Sequence, residues 1–364
     1  MRPAAKRWLI FTPLFLVFVV TIIGVWFWRM MGEPLYQPGM VRAEYHLRSP
    51  LTPPPQPADA NPWRVSADVA IHHETYGSGV PVLFVHGGPG FAPARLAPGL
   101  AALSDEFQIH IYHQRGCGRS SRPIDRFDST NYYQNLIELD ASLGLAAQIA
   151  DIERIRRILR QDRLVLIGHS FGAFLAALYA AEFPRNVEAL VLCAPADLLV
   201  FPIEGGGLFE IVRARLPDHL KDSYATFLDE YLDFGTVFER SESELASRQR
   251  EFAKYYAEAG GLGPVASTQP IPPDNGGWMP VAAYFSMGLR HDYRAALREV
   301  AAPTLVLHGS DDLQPRAVSE RYAQLIPFSE LRVIAGAGHM LFDDRPEEFA
   351  ETVRGFLRDA LRED

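Results

Sequence analysis

Cysteine is nearly absent: the 364 residues include only Cys117 and Cys193. That excludes a disulfide framework and any multi-cysteine metal site, so the fold has to be held by its core. Each cysteine falls beside an expected strand end, where it reads as a small buried side chain. Positive charge is also short. Lysine and arginine number 35 against 44 acidic residues, a formal net charge of −9, with no Lys/Arg run beyond the extreme N-terminus. A nucleic-acid partner therefore has no electrostatic footprint. No internal repeat is present. What is abundant is apolar surface, 48% of the residues, in a chain long enough for one large α/β domain with a modest insertion.

The apolar run from Trp8 to Trp28 carries no charge and has about 20 residues, the length a helix needs to cross a bilayer. Trp8 and the pair Trp26 and Trp28 suit the two interfaces, and Arg2, Lys6 and Arg7 precede the run. Residues 1–28 are thus expected to form a single-pass membrane anchor with the rest of the chain on the non-cytoplasmic side. A cleaved signal peptide is the rival reading, but the run is long for one and no small-x-small site follows Trp28. Residues 29–62, with Pro53-Pro54-Pro55 at their centre and no sustained periodicity, read as a Pro-rich extended tether, with partial packing on the domain as the alternative.

Beyond it, Trp63–Tyr76 alternates like strands and ends at Gly77-Ser78-Gly79, which predicts a hairpin at a sheet edge. Short apolar runs follow at 80–85, 108–112, 164–167, 187–192, 304–307 and 331–334, each suited to a buried parallel strand. Helical spacing fills gaps at 145–160, 171–183 and 346–361. The rhythm predicts a doubly wound, mostly parallel sheet. It breaks once, between Ala194 and about Arg290, where amphipathic stretches at 220–234 and 242–259 precede a Pro/Gly-rich segment. The expected organisation is a core in two parts, 63–194 and 291–364, with a helical cap over 195–290.

The sharpest local signal is Gly168-His169-Ser170-Phe171-Gly172, placed immediately after a buried strand and before a helix. Alone, such a pattern is often a mere turn; its placement points to chemistry. A tight strand-to-helix turn pushes the serine hydroxyl outward, and glycines at 168 and 172 let the neighbouring backbones pass closely. A serine hydroxyl is a poor nucleophile until a base takes its proton, so a histidine and a carboxylate are required downstream. His339, in the loop Ala335-Gly336-Ala337-Gly338-His339 after the last expected strand, is the candidate base. Asp311 and Asp312 end the preceding strand and complete the order Ser, Asp, His; Asp312 is preferred. The plainer reading of these aspartates is a helix N-cap, which one of them can still be. His169 is expected to pack behind the serine rather than act as a second base. Oxyanion donors are expected from the backbone N–H groups of Phe171 and of Gly88 in His86-Gly87-Gly88-Pro89-Gly90.

These residues, with Gln114-Arg115-Gly116-Cys117-Gly118-Arg119-Ser120, resemble the proline iminopeptidase group of the α/β-hydrolases over about residues 63–361. The resemblance implies an α/β-hydrolase fold and release of an N-terminal residue, often proline, from small peptides through an acyl-enzyme. It implies no metal and no organic cofactor. It also implies cap carboxylates that hold the substrate's amino group, for which Glu204 and Glu210 are the candidates. The chain differs from the group's pattern at His113, where aspartate is usual, at Phe171, where tryptophan is common, and in a cap without the expected tryptophan-glutamate pattern. The alternative enzyme reading is an esterase, amidase or lactonase acting on a small acyl substrate, which needs the same three side chains but no acidic clamp. A binding protein that kept the fold without chemistry is disfavoured by an intact serine, acid and histidine. Haloalkane or epoxide hydrolysis needs a carboxylate where Ser170 stands.

Overall fold

The computed structural model describes residue 21 and residues 32–57, 60–203, 206–262 and 271–362. Seven strands form the central sheet: β1 (His73–Tyr76), β2 (Val80–Val85), β3 (Phe107–Tyr112), β4 (Leu164–His169), β5 (Val187–Cys193), β6 (Thr304–Gly309) and β7 (Ser329–Ile334). Their spatial order is 7-6-5-4-2-3-1. All neighbours are parallel except the edge pair β1–β3, which is antiparallel. The expected α/β-hydrolase class, a doubly wound and mostly parallel sheet, is what the chain adopts. The hairpin expected over 63–76 is divided: Trp63–Arg64 pairs with Ala70–Ile71 apart from the main sheet, and His73–Tyr76 alone joins its edge.

Side chains alternate across the strands, so one apolar sequence builds two cores. Leu83, Val85, Leu166, Leu190 and Val306 face the helices α2 (Leu145–Ile158) and α3 (Phe171–Glu182), which follow α1 (Tyr132–Leu143) in the chain. Val82, Phe84, Val165, Ile167, Val191 and Leu305 face the other way, onto Leu100, Phe349 and Val353. The strands therefore read as continuous apolar runs because both faces are covered. α1 carries no motif noted in the sequence, and Asn131 caps it by accepting the Gln134 N–H at 3.1 Å.

Between β5 and β6 the chain leaves the sheet and forms α4 (Leu208–Arg215), α5 (Asp218–Tyr231), α6 (Glu242–Glu258) and α7 (Trp278–Met287). A two-residue ladder, Val200–Phe201 against His291–Asp292, ties the start of this excursion to its end. Aromatic rings pack α5 against α6: Tyr224, Phe227 and Tyr231 meet Tyr255 and Phe252.

Of the segment expected as a tether, residues 32–57 pack on the domain. Tyr36, Val41 and Leu51 are buried in the same cluster as α3. The attachment is polar as well: the Glu182 carboxylate at the end of α3 accepts the N–H groups of Gly39, Val41 and Arg42 and the Tyr36 hydroxyl. Irregular backbone has no internal partners for its N–H groups, and this buried carboxylate supplies one.

The membrane anchor expected from Trp8–Trp28, with the domain on the non-cytoplasmic side, is corrected. Among the described residues no helix is long and apolar enough to cross a membrane. A span needs about 18 or more apolar residues, and the longest described helix, α6 with 17, carries charges along its length. Apart from residue 21, the run itself lies outside the described residues.

Candidate active site

β4 ends at His169 and α3 starts at Phe171, which leaves Ser170 to make the whole turn at φ 54°, ψ −119°. A side-chain-bearing residue is rare at such a φ and is held there only by its surroundings. Here the Ser170 N–H donates to Cys193 O at 2.9 Å. A Cβ at Gly172 would run into the carbonyls of Val85 and His86, and one at Gly168 would lie 2.6 Å from Ala173 Cα. Glycine is thus required on both sides of the serine because three backbones meet there.

The loop after β7 brings His339 to the same end of the sheet, where it is buried. Its Nδ1 lies 3.0 Å from Asp312 Oδ2, and Asp312 Oδ1 accepts the Gln314 N–H at 3.0 Å. Burial pushes the Asp312 carboxyl up, but the His339 charge, the His339 hydrogen bond and the Gln314 N–H outweigh it and hold the group below the ordinary aspartate range. Asp311, one residue earlier, is exposed and accepts the Ser310 hydroxyl at 2.7 Å. Of the two aspartates, then, the fold puts Asp312 against the imidazole.

His169 is buried, and its ring lies 4.8 Å from that of His339. Burial pushes its pKa down to about 3, so the ring is neutral, and its Nε2–H donates to the His339 carbonyl at 3.0 Å. Two further side chains reach the imidazole that no sequence motif marked. Gln314 Nε2 sits 3.4 and 3.5 Å from its two ring nitrogens. Tyr256, from α6, meets it edge-on at 6.0 Å, with its hydroxyl buried beside the Gln314 side chain and making no hydrogen bond of full geometry among the described residues. Gln314 is two residues past Asp312, the one signal that pointed to it; Tyr256 had none. Among the described residues no hydrogen bond joins the Ser170 hydroxyl to His339, a contact that often tightens only when substrate is bound.

The 86–90 loop lies against the serine: a Cβ at Gly87 would be 2.9 Å from Ser170 Cβ. His86 is kept neutral by burial, with its pKa pushed down to about 3. Its Nδ1–H donates to Gly87 O, leaving Nε2 to accept the Gln114 N–H at 3.0 Å, while Gln114 Nε2 donates to His86 O at 2.7 Å. The motifs at 86–90 and 114–120 are thus parts of one structure. Arg115 secures the second by a bidentate pair with buried Asp151, both bonds 2.6 Å. Gly88 has φ 126°, a conformation open to glycine, and Phe171 is the first residue of α3, where backbone N–H groups lack intrahelical acceptors.

The proposed cap acids fare differently. Glu204 lies outside the described residues. Glu210 is exposed and accepts the Gly207 N–H at 2.8 Å, a capping contact at the start of α4. Glu242, which the sequence did not suggest, is buried, but its carboxylate accepts the N–H groups of Gly277 and Trp278 and pairs with Arg122. No group of three or more His, Cys, Asp or Glu able to hold a metal occurs among the described residues.

A sheet of this order, with a serine at the turn after its central strand and a histidine–aspartate pair beside it, defines a class. Residues 80–346 match the model of the alpha/beta hydrolase fold family, and the chain belongs to that family. It is a hydrolase, and within the family its sequence is proline iminopeptidase-like. It is 28% identical over 288 residues to a proline iminopeptidase of Heyndrickxia coagulans, covering 77% of this chain and 91% of that one. It is 26% identical over 299 residues to the 2-(acetamidomethylene)succinate hydrolase of Mesorhizobium japonicum, covering 79% and 92%. Among solved structures, a thermophilic esterase from Thermogutta terrifontis superposes with a TM-score of 0.51 at 23% identity over 80% of this chain and 94% of that one.

Proposed function

We propose that the protein is a serine aminopeptidase of proline iminopeptidase type. His339 takes the Ser170 proton as Oγ attacks the carbonyl carbon of the substrate's first residue. Asp312 holds the imidazole with Nδ1 protonated and stabilises its positive charge. The N–H groups of Gly88 and Phe171 receive the negative oxygen, a contribution on the order of a hundredfold per donor. Collapse breaks the C–N bond, His339 hands its proton to the leaving amine, and an acyl-enzyme remains on Ser170. Water, deprotonated by the same histidine, then releases the amino acid. The observation that carries this reading is the similarity to proline iminopeptidases along nine-tenths of their length, together with the 3.0 Å His339–Asp312 pair.

A second reading, an esterase or amidase for a small acyl group, is favoured by one observation: the buried cap acid Glu242 is already committed to Arg122 and to the start of α7. The test compares the protein with Ser170→Ala on a prolyl amide, its N-acetylated form and a short-chain acyl ester. Preferential cleavage of the free-amine amide, lost in Ser170→Ala, is the expected result. Ester turnover alone would select the second reading, and turnover surviving in Ser170→Ala would remove the nucleophile.

A further inference from the structure

The 86–90 loop is gripped from two sides. Gln114 holds His86 from the core, while the cap holds the other end: Gln249 Nε2 of α6 donates to Pro89 O, and the Gly276 N–H donates to Gly90 O at 2.8 Å. Behind Gln249 stands a buried chain of amides. Asn275 Nδ2 donates to Gln249 Oε1 at 2.7 Å and to Ala246 O at 3.0 Å, and Asn275 Oδ1 accepts from Arg250 at 2.7 Å. Because Oε1 is taken by Asn275, the Gln249 amide is oriented with its N–H₂ toward Pro89. Gln249 and Asn275 are 3% and 1% exposed, so these bonds are made away from water. Ser170 and His339 are themselves only 8% and 6% exposed, so a cap shift that widens the approach to the serine bears directly on this loop. Any shift of α6 or of residues 274–277 withdraws the donors from Pro89 O and Gly90 O.

We propose that Gln249, oriented by Asn275, is a positioning residue that makes the geometry of the oxyanion loop conditional on cap closure. With the cap displaced, the loop carrying the Gly88 N–H is held at one end only; closure over a substrate restores the second hold and sets the donor. The inference rests on the reading of Gly88 as an oxyanion donor.

Gln249→Met keeps the volume, buries no charge and removes the bond to Pro89 O. Two measurements on the full chain decide the matter. Amide hydrogen exchange of residues 86–91 is expected to accelerate about tenfold while that of residues 242–258 stays at the parent rate. On the preferred substrate, kcat is expected to fall about 10- to 100-fold with KM within about twofold, the pattern of an interaction made only in the transition state. Unchanged exchange in the loop would overturn the clamp whatever the activity does. Faster exchange with unchanged kcat would overturn the link to the oxyanion, and equal acceleration across α6 would show a merely structural role. If Gln249→Met does not fold, Asn275→Ala carries the same two measurements, with a smaller expected loss in kcat. Turnover that survives in Ser170→Ala would remove the catalytic reading and leave the exchange result to decide the clamp.

Discussion

At Ser170 the chain is held by backbone against backbone. The glycines at 168 and 172 sit against Ala173 and the Val85 and His86 carbonyls, and the serine's own N–H is bonded across to β5. Over the same site, the cap is held by side chains: ring on ring between α5 and α6, and amide to amide through Gln249 and Asn275. Close-packed backbone has almost no alternative arrangement, whereas side-chain contacts can be exchanged one at a time. On the proposed reading, the core therefore suits an invariant chemistry, and the cap suits the choice of substrate and the timing of access.

Substitutions beside the serine should accordingly act on rate, and substitutions in and around the cap, apart from the Gln249 hold on the 86–90 loop, on stability and binding. The largest effect is expected at the acid. Asp312→Asn should lower kcat about 10³- to 10⁴-fold by leaving His339 in the wrong tautomer, while Asp311→Asn, exposed one residue away, should stay within about twofold. Steady-state kinetics of the pair would break the comparison if the two losses were equal.

An intermediate effect is expected where α1 meets α7, the helix that leads out of the cap. Asp140 is half-buried, and desolvation of its carboxyl pushes its pKa up to about 6, against the opposing Ser286 hydrogen bond and the nearby His46. Its folded pKa lies above the ordinary value of about 3.9, so the folded state binds the proton more tightly. Stability is lost as pH rises from about 4 through about 6, and the whole penalty is present above that. Asp140→Asn should remove the penalty, making the protein more stable than the parent at pH 7.5 by on the order of 2 kcal/mol, with a gap that closes toward pH 4. Urea unfolding at several pH values measures this, and a pH-independent gap would refute it.

The smallest effect sharpens the contrast most. The Tyr256 hydroxyl is buried beside Gln314 and makes no hydrogen bond of full geometry among the described residues, so Tyr256→Phe should raise stability by about 1 kcal/mol. A loss of stability in thermal unfolding would mean that the hydroxyl is satisfied in the folded protein. A raised KM alongside the gain would place Tyr256 among the groups that meet the substrate.

The sheet was legible because parallel strands covered on both faces must be apolar throughout, as in Leu164–Ile167, and because Pro184 and Pro346 punctuate the helices. The serine turn was legible because its backbone demands glycine at fixed positions. Residues 32–57 were not, since their buried side chains, Tyr36, Val41 and Leu51, follow no period and their N–H partner is Glu182, far along the chain. Gln249 and Tyr256 belong to a helix that reads from sequence as merely amphipathic.

Ser170, His339 and the pair of aspartates could be placed at the ends of successive strands from sequence alone, because glycine spacing and apolar runs are local consequences of backbone sterics and burial. Which aspartate faces the imidazole, that residues 32–57 lie on the domain, and that cap amides grip the loop beside the serine were decided only by tertiary structure. Each of these joins segments tens of residues apart or more, and the partner of a hydrogen-bonding group is a property of the space around it rather than of its neighbours in the chain.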